Sequence, residues 1–306
     1  MVSREKRVTI LDLQKMQQQG TKIPMLTAYD YPSARLAESA GCPILLVGDT
    51  LGMVVLGYDS TLPVTLEDMI HHGRAARRGA SNAHIVVDLP FGSYQSDVTT
   101  AMNAAMRVMK ETECDSVKIE GGNSQAIETV TKLVTAGVPV MAHIGLTPQS
   151  VNALGGFKLQ GRTPRDAIRL LSEAQKLQEA GAFAIVLESV PAVLAAKITE
   201  VLAIPTIGIG AGPYCDGQVQ VWHDLLGLYD SFKPRHARRF DEIGESITGA
   251  LVDYIEAVRA GDFPNSSESF GLSEEVESWI TRNLPGKEQS MRQAEQVLSE
   301  TADPRK

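Results

Sequence analysis

The chain has 306 residues, 43% hydrophobic and 22% charged, a balance that excludes a disordered or collagen-like polymer and allows a large core. Lysine and arginine total 29 against 37 acidic residues, and the net charge of −8 disfavours nucleic acid as a partner. No uncharged apolar stretch approaches the ~18 residues of a membrane span, and the start, MVSREKRVTI, has no signal-peptide run, so a cytoplasmic protein without a membrane partner is expected.

In chain order, Thr9 with Asp12 three residues on signals a capped helix over residues 9–20, whose Ile10, Leu13 and Met16 suit a plug at one end of a barrel. Eight short runs rich in valine, isoleucine and leucine follow, alternating with longer amphipathic stretches. They are IPMLTAYD (23–30), PILLVGD (43–49), HIVVDLP (84–90), SVKIEG (116–121), PVMAHIG (139–145), AFAIVLES (182–189), PTIGIG (205–210) and QVQVWHDLLG (218–227). Two intervening helices are well signed, by Thr65 with Asp68 and by Thr163 with Pro164 and Asp166. Only a short Gly/Pro segment separates the seventh and eighth runs.

Eight βα units in a chain of this length predict an α/β fold, a closed (β/α)8 TIM barrel with an N-terminal capping helix, over residues 1–270. The rival is an open doubly wound sheet, but Gly208, Gly210 and Gly212 are followed by Pro213, which breaks the GxGxxG spacing of dinucleotide sites. Beyond about residue 262 the sequence turns polar, and residues 271–306 read as a C-terminal helical extension with a narrow stripe of Met291, Ala294 and Leu298.

Acidic residues recur at the carboxyl ends of the predicted strands: Asp30, Asp49, Asp88, Glu120 and Glu188. In a barrel these ends converge on one face, where active sites are built. Any one of them could instead cap the helix that follows. Buried together they need positive charge, since an uncompensated buried charge costs roughly 3–5 kcal/mol. Lys118 shares a strand face with Glu120 and supplies one charge; a hard divalent cation, Mg²⁺, complements the rest where no Cys/His cluster exists. His71 and His72 are adjacent and read as solvated, whereas His143 lies within a strand run and is either a site residue or a satisfied core histidine. The three separated cysteines form no CxxC pair, and no GxSxG or Walker A string occurs. Two long connections, 50–64 and 146–163, should emerge on the catalytic face as lids.

The strings GDTLGM, DSTLPVT, DLPFGSY, VKIEGG, HIGLTPQS, GGFKLQGRT, LESVP, IPTIGIGAG and VWHDLLG together resemble the ketopantoate hydroxymethyltransferase (3-methyl-2-oxobutanoate hydroxymethyltransferase) family, in family order from about residue 5 to about 270. The resemblance implies a barrel of the phosphoenolpyruvate/pyruvate superfamily, Mg²⁺ dependence and a homodecamer. It implies metal ligands Asp49, Asp88 and Glu120, oxoacid contacts from Asp49, Thr50, Asp88 and Lys118, a further site residue in His143, and Glu188 as the proton-handling residue. The implied reaction adds the one-carbon unit of 5,10-methylenetetrahydrofolate to 3-methyl-2-oxobutanoate through a Mg-stabilised enolate, giving 2-dehydropantoate. Many members carry serine where this chain has Thr50, whose methyl crowds the oxoacid.

Two rival functions remain for such a barrel. Bond-cleaving relatives, such as isocitrate lyase and phosphonopyruvate mutase, share a Lys/Arg-Cys-Gly-His loop; here Cys42, Cys114 and Cys215 precede Pro43, Asp115 and Asp216. A catalytically dead barrel binding partners through its tail gains nothing from clustered carboxylates.

Overall fold

The computed structural model describes residues 6–229, 234–286, 289–293 and 295. Eight strands run β1 (Ile23–Thr27), β2 (Ile44–Val47), β3 (His84–Asp88), β4 (Ser116–Glu120), β5 (Val140–Gly145), β6 (Ala184–Glu188), β7 (Thr206–Ile209) and β8 (Gly217–Gln220). All pair in parallel with their sequence neighbours, and β8 closes on β1, with Ile23 opposite Gly217 and Leu26 opposite Gln220. The fold is a (β/α)8 TIM barrel.

Period two sorts the strand residues into two layers. Ile23, Met25, Ile44, Leu46, Val86, Met141, Val186, Ile207 and Val219 fill the interior. Leu45, Val47, Ile85, Val87, Val117, Ile119, Ile144 and Leu187 pack outward into the layer shared with the helices. Helix α1 (Ile10–Gln18), with the expected Thr9–Asp12 capping box, adds Leu13 to the interior cluster and so plugs the barrel at its amino-terminal end.

Helices α2 (Tyr31–Ser39), α3 (Leu51–Val54), α4 (Leu66–Gly79), α5 (Val98–Thr112), α6 (Ser124–Thr135), α7 (Val151–Leu154), α8 (Pro164–Glu179), α9 (Ala192–Val201) and α10 (Trp222–Leu225) fill the connections. Thr65 and Thr163 cap α4 and α8 as their spacing predicts. No helix separates β7 from β8. Both long connections carry short helices: α3 in 50–64, and a 3₁₀ turn (Pro148–Ser150) followed by α7 in 146–163.

The chain divides into two compact units, Met1–Gly244 and Glu245–Lys306. The second unit begins within α11 (Ile243–Ala260), no residue of which is buried. In the second unit α12 (Glu274–Asn283) is likewise unburied, and Tyr254 and Phe263 stack edge to face at 5.6 Å. Of the tail stripe, Met291 is exposed, while Ala294 and Leu298 lie outside the described residues. Among the described residues no helix is long and apolar enough to cross a membrane.

Candidate active site

At the carboxyl ends of the strands the interior positions change from apolar to ionisable. Asp88 follows Val86 on β3, Lys118 and Glu120 end β4, His143 follows Met141 on β5, and Glu188 follows Val186 on β6. Asp49 and Thr50 come from the turn after β2. Asp49, Asp88, Lys118, Glu120 and His143 are buried, each with at most 7% of its surface exposed.

Lys118 is the hub: its Nζ lies 2.8 Å from Asp88 Oδ1, 3.7 Å from Glu120 Oε1 and 3.2 Å from His143 Nδ1. Burial pulls the ammonium pKa down, but Asp88, then Glu120 and Asp49, outweigh it and hold the group charged. Glu120 settles below the usual carboxylate range, since Lys118 and His143 overcome the upward push of burial. His143 Nδ1 stands 3.4 Å from Glu120 Oε1, and Nε2 stands 3.4 Å from Glu188 Oε2 without a hydrogen bond. Burial and Lys118 disfavour its protonation; Glu120 and Glu188 prevail and raise its pKa to about 9. Asp88 is raised because burial outweighs Lys118. Asp49 is pushed well above the usual range by burial, then by Asp88 and Glu120. Of the buried carboxylates Asp49 is the one the cations compensate least.

Among the described residues no three His, Cys, Asp or Glu side chains are posed to hold a metal ion together. The donor chemistry nevertheless fits a hard divalent cation: three buried carboxylates, of which Asp49 lacks a compensating charge. Asp49, Asp88 and Glu120 are the residues that could hold one.

Two neutral residues that sequence reasoning passed over shape the rim. Gln149 Nε2 donates to Asp49 Oδ2 and to the Leu89 carbonyl, both at 2.9 Å, and its backbone N–H donates to Glu120 Oε2 at 3.1 Å. Its Oε1 accepts from the Tyr94 hydroxyl at 2.6 Å and from Gln95 Nε2 at 2.9 Å. Both Gln149 and Tyr94 lie in strings that carry the family resemblance, HIGLTPQS and DLPFGSY, which was the available signal. Backbone geometry fixes Glu188. Gly145, at φ +98°, has no Cβ to meet the Glu188 carbonyl, which instead accepts from Leu146 N–H at 2.8 Å. Ser189 sits in the left-handed region at φ 48°, a cost of order 1 kcal/mol tolerated where a site is built. Its carbonyl accepts from Gln160 N–H at 2.9 Å, so the connection 146–163 touches both sides of the rim.

The remaining expectations divide. Thr50 occupies the N-cap position of α3 without a side-chain capping bond, leaving its hydroxyl uncommitted to the helix. Asp30 caps α2 through Ser33 N–H at 2.8 Å, lies exposed, and does not join the cluster. His72, read as solvated, is half-buried with its Nδ1 2.6 Å from the Tyr29 carbonyl, because α4 packs against the start of α2.

Comparison with known proteins follows this geometry. Residues 7–266 match the model of the family described as ketopantoate hydroxymethyltransferase. Among curated relatives named 3-methyl-2-oxobutanoate hydroxymethyltransferase, that of Carboxydothermus hydrogenoformans is 55% identical over 270 residues, 88% of this chain and 98% of the relative. That of Chloroflexus aurantiacus is 57% identical over 263 residues, 86% of this chain and 92% of the relative. Among solved structures, a phosphonopyruvate hydrolase is 13% identical with a TM-score of 0.57, covering 99% of this chain and 100% of that one. A 2,3-dimethylmalate lyase, described as a member of the PEP mutase/isocitrate lyase superfamily, is 15% identical with a TM-score of 0.52, covering 94% and 98%. At such identities the likeness is one of fold.

Proposed function

The chain belongs to the ketopantoate hydroxymethyltransferase family, and from that premise we propose how its buried rim carries out the reaction. It is an enzyme of pantothenate synthesis that forms 2-dehydropantoate by hydroxymethylating 3-methyl-2-oxobutanoate. The one-carbon donor is 5,10-methylenetetrahydrofolate. In the balanced reaction the oxoacid loses its C3 proton, C3 bonds to the methylene carbon, both carbon–nitrogen bonds of the donor break, water supplies the hydroxyl, and the C3 proton and the one released from water end on the two folate nitrogens.

Asp49, Asp88 and Glu120 would hold Mg²⁺, which when bound supplies a Lewis acid for the oxoacid's oxygens, worth several kcal/mol for enolate-type chemistry. Lys118 neutralises charge on the oxoacid carboxylate or the enolate oxygen, and its buried ammonium stays charged for the task. Thr50 offers its uncommitted hydroxyl to the same ligand, its methyl narrowing the space beside it. Glu188 handles protons. It approaches the acidic cluster through His143, 3.4 Å away, so it can exchange a proton without surrendering a metal ligand. His143, bracketed by Glu120 and Glu188, orients that carboxylate.

The observation that carries this reading is the ring of ionisable residues replacing apolar ones at the same interior parity on β3 to β6, inside a chain matched to the family over residues 7–266. We further place the enzyme in the cytoplasm as a homo-oligomer, a decamer, with small-molecule substrates, no membrane or nucleic-acid partner, and residues 1–270 as the catalytic domain. An assay of tetrahydrofolate-dependent ketopantoate formation with and without Mg²⁺ tests the function. Product only with the metal is expected; no product in either condition overturns the reading. Light scattering should give about ten times the 33.0 kDa chain mass, and a monomer would refute the assembly.

A further inference from the structure

The connection 146–163 is bonded to the site along one side. Gln149 holds Asp49 and Glu120, Leu146 N–H donates to the Glu188 carbonyl at 2.8 Å, and Gln160 N–H donates to the Ser189 carbonyl at 2.9 Å. Just before that last bond come Phe157 and Leu159, both exposed. They have apolar neighbours. Gly161 packs so closely against Leu194 and Pro191 that a Cβ there would clash, and Gly212 does the same against Ala192. The connections after β5 and β7 are thus both seated on the start of α9, whose first turn carries Val193, while Tyr214 follows Gly212 by two residues. Phe157, Leu159, Val193 and Tyr214, between 47% and 82% exposed, gather around the start of one helix. Single exposed apolar residues are ordinary, but a group of them at the edge of a catalytic mouth marks a ligand surface.

That edge is the one on which Glu188 lies, three residues before Pro191. Its side chain is 16% exposed, against 3–4% for Asp88, Lys118, Glu120 and His143, so it is the charged member of the site that reaches solvent. Lys158 and Arg162 border the same shelf. They are the charged residues of 146–163, both are exposed, and no acid accompanies them in a chain of net charge −8. Among the described residues neither forms an ion pair. Flat apolar surface with two unpaired cations at its border suits a ligand that has aromatic rings and an anionic end.

We propose that this shelf binds the one-carbon donor, the rings of 5,10-methylenetetrahydrofolate lying over Phe157, Leu159, Val193 and Tyr214 and its glutamate carboxylates meeting Lys158 and Arg162. The inference rests on the function proposed above and gives the second substrate a place. The oxoacid is held within the barrel mouth by the buried acids and Lys118, so a donor seated here presents its methylene carbon from the Glu188 side.

The test is the double variant Lys158→Ala/Arg162→Ala, with Phe157→Ala beside it, read by the KM of each substrate and by calorimetric titration of tetrahydrofolate. Loss of two exposed charge contacts predicts a donor KM ~10-fold higher and loss of one stacking ring ~3–10-fold, with tetrahydrofolate affinity weakened in step. The KM for 3-methyl-2-oxobutanoate should not follow. A tetrahydropterin without the aminobenzoylglutamate tail should bind the charge variant and wild type alike. Donor KM and tetrahydrofolate affinity equal to wild type in both variants would end the proposal, as would an equal rise in the oxoacid KM. If light scattering shows a smaller assembly while the donor KM stays, the shelf is a contact between copies and the proposal falls likewise. Should alanine disturb the loop, Lys158→Gln/Arg162→Gln removes the charges alone and must give the same shift. If wild-type protein itself makes no ketopantoate and binds no tetrahydrofolate, the functional reading fails; an active wild type with unaltered variants sinks the shelf alone.

Discussion

The two ends of the barrel each hold an aspartate, half-buried at one and buried at the other, and they treat it in opposite ways. At the amino-terminal end Asp115, just before β4, is met by Arg7 Nη1 and Arg77 Nη1, each at 3.1 Å, and accepts from Ile85 N–H at 2.8 Å. At the carboxyl end Asp49 receives one amide hydrogen bond at 2.9 Å from Gln149 and faces two other carboxylates, with its nearest cation already shared. One end uses the charge to lock neighbouring segments together. The other keeps a deficit of positive charge, a state that costs stability and that a cationic ligand relieves.

The largest expected effect sharpens this contrast at its catalytic end. Glu188→Gln removes a base outside the acidic cluster, so turnover should fall by ~10²–10⁴-fold while Mg²⁺ and oxoacid still bind by calorimetry. Near-normal turnover, or lost Mg²⁺ binding, would reassign the residue. Deuterium exchange at C3 without folate then shows which proton Glu188 moves: lost exchange makes it the enolising base.

At the structural end, Arg77→Ala leaves Asp115 with an exposed partner only, the Arg77 side chain being 7% exposed and that of Arg7 46%. Asp115 keeps Arg7 and the Ile85 N–H, so the cost is that of the lost Arg77 bonds, on the order of 1–3 kcal/mol. Denaturant unfolding should show a loss of that size with kcat per folded molecule intact; a loss under 1 kcal/mol would remove the asymmetry between the ends.

Asp49→Asn acts in the reverse sense. Its removal should stabilise the metal-free protein at pH 7 by on the order of 1 kcal/mol while weakening Mg²⁺ binding and activity, which excess Mg²⁺ partly restores. Because the folded-state pKa of Asp49 is raised, its contribution is fully present below its unfolded value of about 3.9 and is lost as pH rises through the folded value. Wild-type stability in chelator should therefore fall over that interval more than the variant's. Parallel curves for the two proteins would contradict the deficit.

The smallest effect is expected furthest from both ends. Truncation after Gly271 removes α12, which buries no residue, and turnover per site should stay within about twofold. A folded, assembled truncation with lost activity would bring the extension into the site.

The sequence made the charged rim legible wherever period two applies: Lys118 and Glu120 share a face by spacing alone, and Asp88, His143 and Glu188 end apolar runs. The same rule could not sort Asp30 from Asp49, since both follow strands and only the fold decides that one caps a helix. Gln149 was marked only by the family string that holds it, HIGLTPQS. It is uncharged, and it reaches Asp49 across 100 residues of chain, a proximity that barrel closure creates and no local pattern records.

The bonds of Gln149 give the connection 146–163 a second character, that of an indicator. Its amide and backbone N–H grip Asp49 and Glu120, while Leu146 and Gln160 are tied beside Glu188, so whatever claims those carboxylate oxygens must first compete with the segment covering them. The bonds that hold the loop and those that would hold a ligand draw on the same oxygens. Protease protection of the turn at the exposed Gly155, or the emission of a dye placed there, is expected to change when the buried acids take a ligand, a readout obtained without watching the reaction at all.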